Sequence, residues 1–219
     1  IKFTSVSTAI VLLYTYPAFV VVFAFVLYRE RITAAKLFGL LLTFVGILFV
    51  AWGTSHVGLG SNPIGLVFAL LAGLGNASYA LGGKRALATY NTKTALFYSF
   101  LFGSLMLDAL AYFAHEPNPV MNAEILAIVL TMAIVPTVLG YGAFTYSLHF
   151  VEAGEASIVS SIEPAVSIYL AYLFLGETLN PVQLIGSALI LSAVVMLQLL
   201  RLPTRKRQYR VTELTESSF

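Results

Sequence analysis

Seven uncharged or nearly uncharged apolar runs, separated by short polar breaks, fill almost the whole of this 219-residue chain. They cover 8–28, 37–52, 64–83, 94–114, 125–148, 156–175 and 182–200. About 20 apolar residues span a hydrocarbon core some 30 Å thick, and backbone groups in lipid must bond within their own segment, so each run reads as a helix. Composition agrees: 59% of the residues are hydrophobic and 10% charged, against about 25% charged in soluble domains. The expected fold class is an all-α membrane protein, a polytopic bundle of seven transmembrane helices. With no cysteine in the chain, disulfides, thiolate metal sites and cysteine nucleophiles are excluded.

The breaks carry the orientation. Arg29, Arg31 and Lys36 follow the first span, Lys84, Arg85 and Lys93 the third, and Arg201, Arg205, Lys206, Arg207 and Arg210 the seventh. The breaks after the second (GTSHVGLGSN), fourth (HEPNPVMNAE) and sixth (GETLNP) spans hold neither Lys nor Arg. Basic loops stay cytoplasmic, so the C-terminus is expected inside and the N-terminus outside, in a plasma or bacterial inner membrane. Lys2 alone dissents, and the HFVEAGE break after the fifth span is silent. The stretch 201–219 reads as a basic cytoplasmic tail beside anionic lipid.

Moved by 147 residues, the chain matches itself without a gap: "YPAFVVVFAFVLYRERITAAKLFG" falls on "EPAVSIYLAYLFLGETLNPVQLIG". Pro17 meets Pro164, Ala18 Ala165, Ala24 Ala171, Glu30 Glu177, Leu37 Leu184, and Gly39 Gly186. Apolar repetition is common in membranes, whereas Pro, Glu and Gly coinciding at one offset is not. Five spans separate the copies, so the second crosses the bilayer in the opposite sense. Inverted repeats build secondary transporters, whose halves rock around a midplane site. On this reading 1–52 holds the last two helices of a first repeat and 62–200 a complete five-helix second repeat. About three helices would then be missing ahead of Ile1, in keeping with a start that is not Met.

Three stretches carry a resemblance to a known family: "SSIEPAVSIYLAYLFLGETLNPVQLIGSALIL", "YGAFTYSLHFVEAGEASI" and "YPAFVVVFAFVLYRERITAAKLFG". Together they resemble the drug/metabolite transporter superfamily, in particular its EamA type of ten helices in a 5+5 inverted repeat. The resemblance implies secondary-active movement of small metabolites, amino acids or drugs, often outward, without a cofactor. Its implied partners are a small-molecule solute, with protons or another ion as candidate coupling partners, and membrane lipid. A homodimer is left open, and no nucleic acid is expected. The chain's residues agree, since no GxxxxGK[ST] phosphate loop is present to couple ATP.

The sixth span raises the sharpest chemical question, because Glu163 and Pro164 stand side by side near the bilayer midplane. A central ionised acid costs about 2.5–3.5 kcal/mol on insertion scales, so it faces a cavity or partner, or is protonated. Pro164 deprives the Ser160 carbonyl of its helical donor and bends the helix. At about 100° per residue, Ser157, Ser160, Ser161, Glu163, Pro164 and Ser167 share an arc of roughly 160°. Two readings stand. In one, Ser160, Glu163 and Ser167 line a transport cavity, with Glu163 protonatable or cation-pairing. In the other, Glu163 bonds a neighbouring helix and the Glu-Pro pair is a packing hinge. Tyr16 and Pro17 occupy the matching positions of the first span, and Pro17 and Pro164 are the expected hinges.

The fifth span places Thr137, Tyr141, Phe144, Thr145 and Leu148 on one face. Tyr141 and Thr145 could bond a solute and Phe144 stack on it, or the face could be a helix–helix seam. The third span offers Asn76, whose amide is costly in lipid if unpaired, and Tyr79. Beside them, Gly65, Ala69 and Gly73 suit close packing. Asp108, toward the outer end of the fourth span, reads as locally hydrogen-bonded or partly solvated rather than as a proton relay. Glu30 and Glu177 mark helix junctions, with Thr33 a cap for the second span and Asn180-Pro181 for the seventh. His56, His115 and His149 show no metal-ligand spacing, and no metal is expected.

Two other classes compete. A seven-helix receptor or retinal protein shares the span count, but a retinal Schiff base needs a lysine in the last helix, and VQLIGSALILSAVVMLQLL has none. An intramembrane enzyme would need HExxH or a close acid pair, and neither occurs. The chain is not expected to be an enzyme.

Overall fold

A computed structural model describes residues 6–54, 63–114, 122–176 and 178–200. The first span is α1 (Val6–Leu13) and α2 (Tyr16–Tyr28), the second α3 (Ala34–Thr54), the third α4 (Pro63–Ala86) and the fourth α5 (Thr92–Phe113). The fifth is α6 (Ala123–Met132), a π-helical segment (Ala133–Tyr141) and α7 (Gly142–Ser147). The sixth is α8 (Ala153–Ser160) and α9 (Glu163–Leu175), and the seventh α10 (Pro181–Leu199). Among the described residues, seven helical stretches, Thr8–Tyr28 to Pro181–Leu199, are long and apolar enough to cross a bilayer. The chain is a multi-pass, all-α membrane protein. Lys2, His56, His115, Glu177 and the basic tail lie outside the described residues.

The spans are not the uninterrupted helices that hydropathy alone draws. The first is broken at Tyr14-Thr15 and the sixth at Ser161-Ile162, and in each the new helix starts one residue before a proline, Pro17 or Pro164. A proline within the first turn needs no donor, so a helix can begin there but cannot run unbroken through it. Side-chain hydroxyls tighten the turn before each break. Thr15 Oγ1 donates to the Leu12 carbonyl at 2.6 Å, and Ser160 and Ser161 donate to the carbonyls of Ala156 and Ser157 at 2.9 and 3.2 Å.

The fifth span deforms differently. Pro136 has no N–H for the Met132 carbonyl, and the Thr137 hydroxyl donates to that oxygen instead, at 3.0 Å. The helix widens to π geometry there, as helices often do at functional sites. Thr137 is thereby turned back on its own backbone and withdrawn from the face expected from its spacing.

The 147-residue spacing returns in the geometry. α2 begins at Tyr16 and ends at Tyr28, α9 at Glu163 and Leu175, and every bound differs by that spacing. Each helix closes on a left-handed residue, Arg29 (φ 55°) and Gly176 (φ 67°), whose N–H reaches Ala24 and Ala171 respectively. α3 and α10 start at Ala34 and Pro181, again the same distance apart. These two run antiparallel and form the closest seam of the bundle. A Cβ on Gly39 would lie 3.0 Å from Leu197 Cδ1, and one on Gly186 would lie 2.8 Å from Val50 N. Shifting the first pair by the spacing gives the second, the reciprocity expected of a two-fold interface.

Around this seam α2 packs on α4 and α8, and α1 on α3 and α4. Gly73 lets α4 approach the end of α1, where its Cβ would stand 3.2 Å from the Leu13 carbonyl oxygen. α5 and α6 sit at the periphery, and α6 buries no side chain. Their apolar surface is what a bilayer covers. Several starts follow local chemistry. Asn91 and Asn122 accept from the N–H of Thr94 and Ile125 at 2.8 and 2.7 Å. Thr33 accepts from Lys36 N at 3.2 Å, and Asn180 and Gln183 form a reciprocal capping box.

Candidate functional site

A cavity of about 410 Å³ opens where the deformed spans meet, lined by Tyr16, Asn76, Tyr79, Pro136, Gly140, Tyr141, Phe144, Ser160 and Glu163. Four spans contribute. The break in the first supplies Tyr16, α4 supplies Asn76 and Tyr79 one turn apart, and the π segment and α7 supply Pro136 to Phe144. The break in the sixth supplies Ser160 and Glu163 on either side of the interruption. Helices that break at membrane depth free polar backbone, which is tolerated only inside protein or along a cavity.

The wall is aromatic and ordered. Tyr79 meets Tyr141 edge-to-face with centroids 5.1 Å apart and lies 6.2 Å from Phe144. Phe100 of α5 backs Tyr141 at 5.5 Å, again edge-to-face. The Tyr79 hydroxyl and Thr145 Oγ1 are 2.7 Å apart. Thr145 is only 1% exposed, so its hydroxyl braces Tyr79 rather than facing the cavity. Tyr16 is buried and donates its hydroxyl to the Ser157 carbonyl at 3.1 Å, which ties the first break to the sixth span.

Among the described residues of the lining, Glu163 is the one carboxylate, and no Lys, Arg or His joins it. The Tyr14 hydroxyl lies beside the Glu163 carboxylate across the two breaks, and Tyr16 stands beside Ser161. Among the described residues no group of His, Asp and Glu is arranged to hold a metal ion.

Of the residues singled out from sequence, Tyr16, Asn76, Tyr79, Tyr141, Phe144, Ser160 and Glu163 share this one cavity. Pro17 and Pro164 are buried immediately behind it. Ser167 is exposed on α9 and does not line it. The polar arc drawn on a continuous helix assumed one axis, and the break at Ser161-Ile162 changes that axis before Ser167 is reached. Pro136, Gly140 and Tyr14 are additions. A proline inside an apolar run marks the first two in retrospect, whereas nothing local marks Tyr14. Asp108 stands exposed on α5, away from the cavity, and His149 Nε2 lies 3.1 Å from Thr92 Oγ1.

The model of the EamA-like transporter family matches residues 1–52 and 63–199. This chain belongs to the EamA-like transporter family. An uncharacterized transporter of Archaeoglobus fulgidus is 31% identical over 196 residues, which cover 90% of this chain and 68% of that protein. The threonine/homoserine exporter RhtA of Escherichia coli is 31% identical over 139 residues, 64% of this chain and 45% of the exporter. A solved crystal structure aligns with 91% of this chain and 69% of its own at a TM-score of 0.77, and at 22% identity it speaks to the fold alone. The EamA-type chain is therefore a membrane transporter and not an enzyme.

Proposed function

We propose that this EamA-type transporter is secondary-active, works by alternating access, and carries small amine-bearing metabolites, amino acids or drug-like solutes outward. The observation that carries the reading is the cavity itself, with three tyrosines and a phenylalanine, one amide, one hydroxyl and a single carboxylate. Without a basic residue it disfavours anions. Glu163 pairs with a cationic nitrogen, the ring faces add cation–π attraction, and Asn76 and Ser160 orient the remaining polar atoms. Between solutes, a proton or another ion occupies the carboxylate. The cavity is large enough for a solute of amino-acid size and too small for a macromolecule.

The matching bounds of α2 and α9, their shared left-handed caps and the reciprocal α3–α10 seam support two copies of one unit threaded in opposite senses. In that arrangement the loops carrying Arg29 to Lys36 and Lys84 to Lys93 lie in the cytoplasm together with the C-terminus. The resemblance to an exporter supports the outward direction.

Efflux from vesicles loaded with radiolabelled threonine, tetramethylammonium or acetate tests this with the full-length protein. The two probes with a cationic nitrogen should move and acetate should not, and Glu163→Gln should slow them at least tenfold. Equal rates for all three, or an unaffected Glu163→Gln variant, would overturn the reading.

A further inference from the structure

Below the cavity, at the end of the bundle that carries the basic loops, lies an ion cluster the cavity does not use. Lys36, on the first turn of α3, is 2% exposed. Its ammonium pairs with Glu30 at 3.5 Å and with Glu152, and donates to the Arg31 carbonyl at 3.1 Å. Glu30 in turn accepts the N–H groups of Ala153 and Gly154, at 2.9 and 3.3 Å, which open α8. From the other side Lys84 donates to the carbonyls of Leu148 and Val151, at 2.6 and 2.8 Å. The turn between α7 and α8 is thus held on one flank by α4 and on the other by the α2–α3 turn. Gly154 makes the approach possible, since a Cβ there would stand 3.0 Å from Val21 Cγ2 and 3.6 Å from Lys36 Nζ.

Directly above the cluster, Val20, Ala24, Ala80, Leu81, Leu148 and Ala153 form a buried apolar plug. Phe144 of the cavity wall is one helical turn from Leu148, about 6 Å along the axis. Plug and cluster together close this end.

We propose that Lys36, Glu30 and Glu152 are the latch of the gate at the basic-loop end, closed in this structure and opened in each transport cycle. The proposal rests on alternating access as argued above. The arrangement suits a latch better than a fixed staple because the two carboxylates differ. Glu30, on the same turn as Lys36, stays with the ammonium in either state and exchanges the N–H groups of Ala153 and Gly154 for water on opening. Glu152 comes from the opposite wall and its side chain is 34% exposed, so water can take its place when the wall withdraws. Lys36 therefore has a partner in both positions, which is what a two-position element requires. A lysine relying on Glu152 alone would be left buried and unpaired on opening, a strongly destabilising state.

Residues 1–219 hold no cysteine, so with any cysteine elsewhere in the protein replaced by serine, a single introduced thiol reports the gate. With Leu81→Cys as reporter in the plug, a membrane-impermeant thiol reagent is applied from the basic-loop face of vesicles holding the full-length protein. Labelling should be slow in the parent, at least tenfold faster with Glu152→Gln, and slow again with Glu152→Asp. Ile47→Cys, buried at the α3–α10 seam, should stay protected throughout. Glu152→Gln is chosen because it leaves Lys36 paired with Glu30, and Lys36→Met serves as a second variant wherever it purifies folded. Unchanged labelling of Leu81→Cys in a folded variant overturns the latch, as does equal acceleration at Ile47→Cys. Neither readout needs a solute, so failure of the latch and failure of the carrier reading are separate results.

Discussion

Replacing Gly186 by Ala tests the packing logic of the bundle most directly. A Cβ at this position would lie 2.6 Å from the Gly46 carbonyl oxygen, 2.8 Å from Val50 N and 3.0 Å from Phe49 Cβ. The two nearest atoms are backbone and cannot rotate aside. Ordinary contact begins at 3.4 Å, so α3 and α10 must part by about 0.8 Å, enough to forfeit a quarter to a half of the dispersion well for atoms along the seam. Ile47, Val50, Ile190 and Ala193 all lie on that seam and are buried. Overpacking of this kind costs about 1–3 kcal/mol, and the better helix propensity of Ala returns about 0.5–1 kcal/mol. A net loss of about 1 kcal/mol is expected. Gly82→Ala is the control, because its Cβ would meet nothing within 4 Å, and it should be neutral or slightly stabilising. Reversible unfolding in mixed detergent micelles, followed by helical circular dichroism, measures both. If Gly186→Ala were as stable as Gly82→Ala, the backbone-to-backbone seam would be refuted, and with it the reciprocity between the two helix pairs. Gly46→Ala is the companion measurement, since its Cβ would stand 2.7 Å from the Gly186 carbonyl oxygen.

Two further outcomes follow from local geometry. Thr145→Val should cost about 1 kcal/mol by removing the partner of the Tyr79 hydroxyl, and should raise the KM of solute efflux about fivefold with kcat unchanged, whereas Thr145→Ser should keep both. Arg29→Gly should stabilise by about 0.5–1 kcal/mol in the same unfolding assay, because Arg29 holds φ at 55°, a conformation that costs a side chain and not a glycine.

The seven spans were legible because lipid leaves the chain a single solution, and their ends moved by only a few residues. The 147-residue self-match was legible for another reason: Pro17 and Pro164, and Gly39 and Gly186, do geometric work that few residue types can do, so their coincidence shows in the sequence. What stayed hidden lies in relations between distant segments. Tyr14 gains meaning only when the first break crosses the sixth and brings it beside Glu163. Lys36 reads as one more positive-inside charge until Glu152, 116 positions away, closes on it. Thr145 sits correctly on its helical face, yet its distance to Tyr79 decides that it braces a wall. Ser167 shows the converse, since periodicity placed it by extending a helix that ends before it.

The α3–α10 seam also constrains how such a molecule can move. Where Gly46 and Gly186 meet, the two helices touch through backbone with little side chain between them to accommodate sliding or rolling, so this pair is suited to serve as an axle. Rearrangement has to be taken up where the chain has already given up regular hydrogen bonding, around Thr15, Ile162 and the widened turn at Pro136. The segments that bend are then the ones that line the cavity, through Tyr16, Pro136, Ser160 and Glu163.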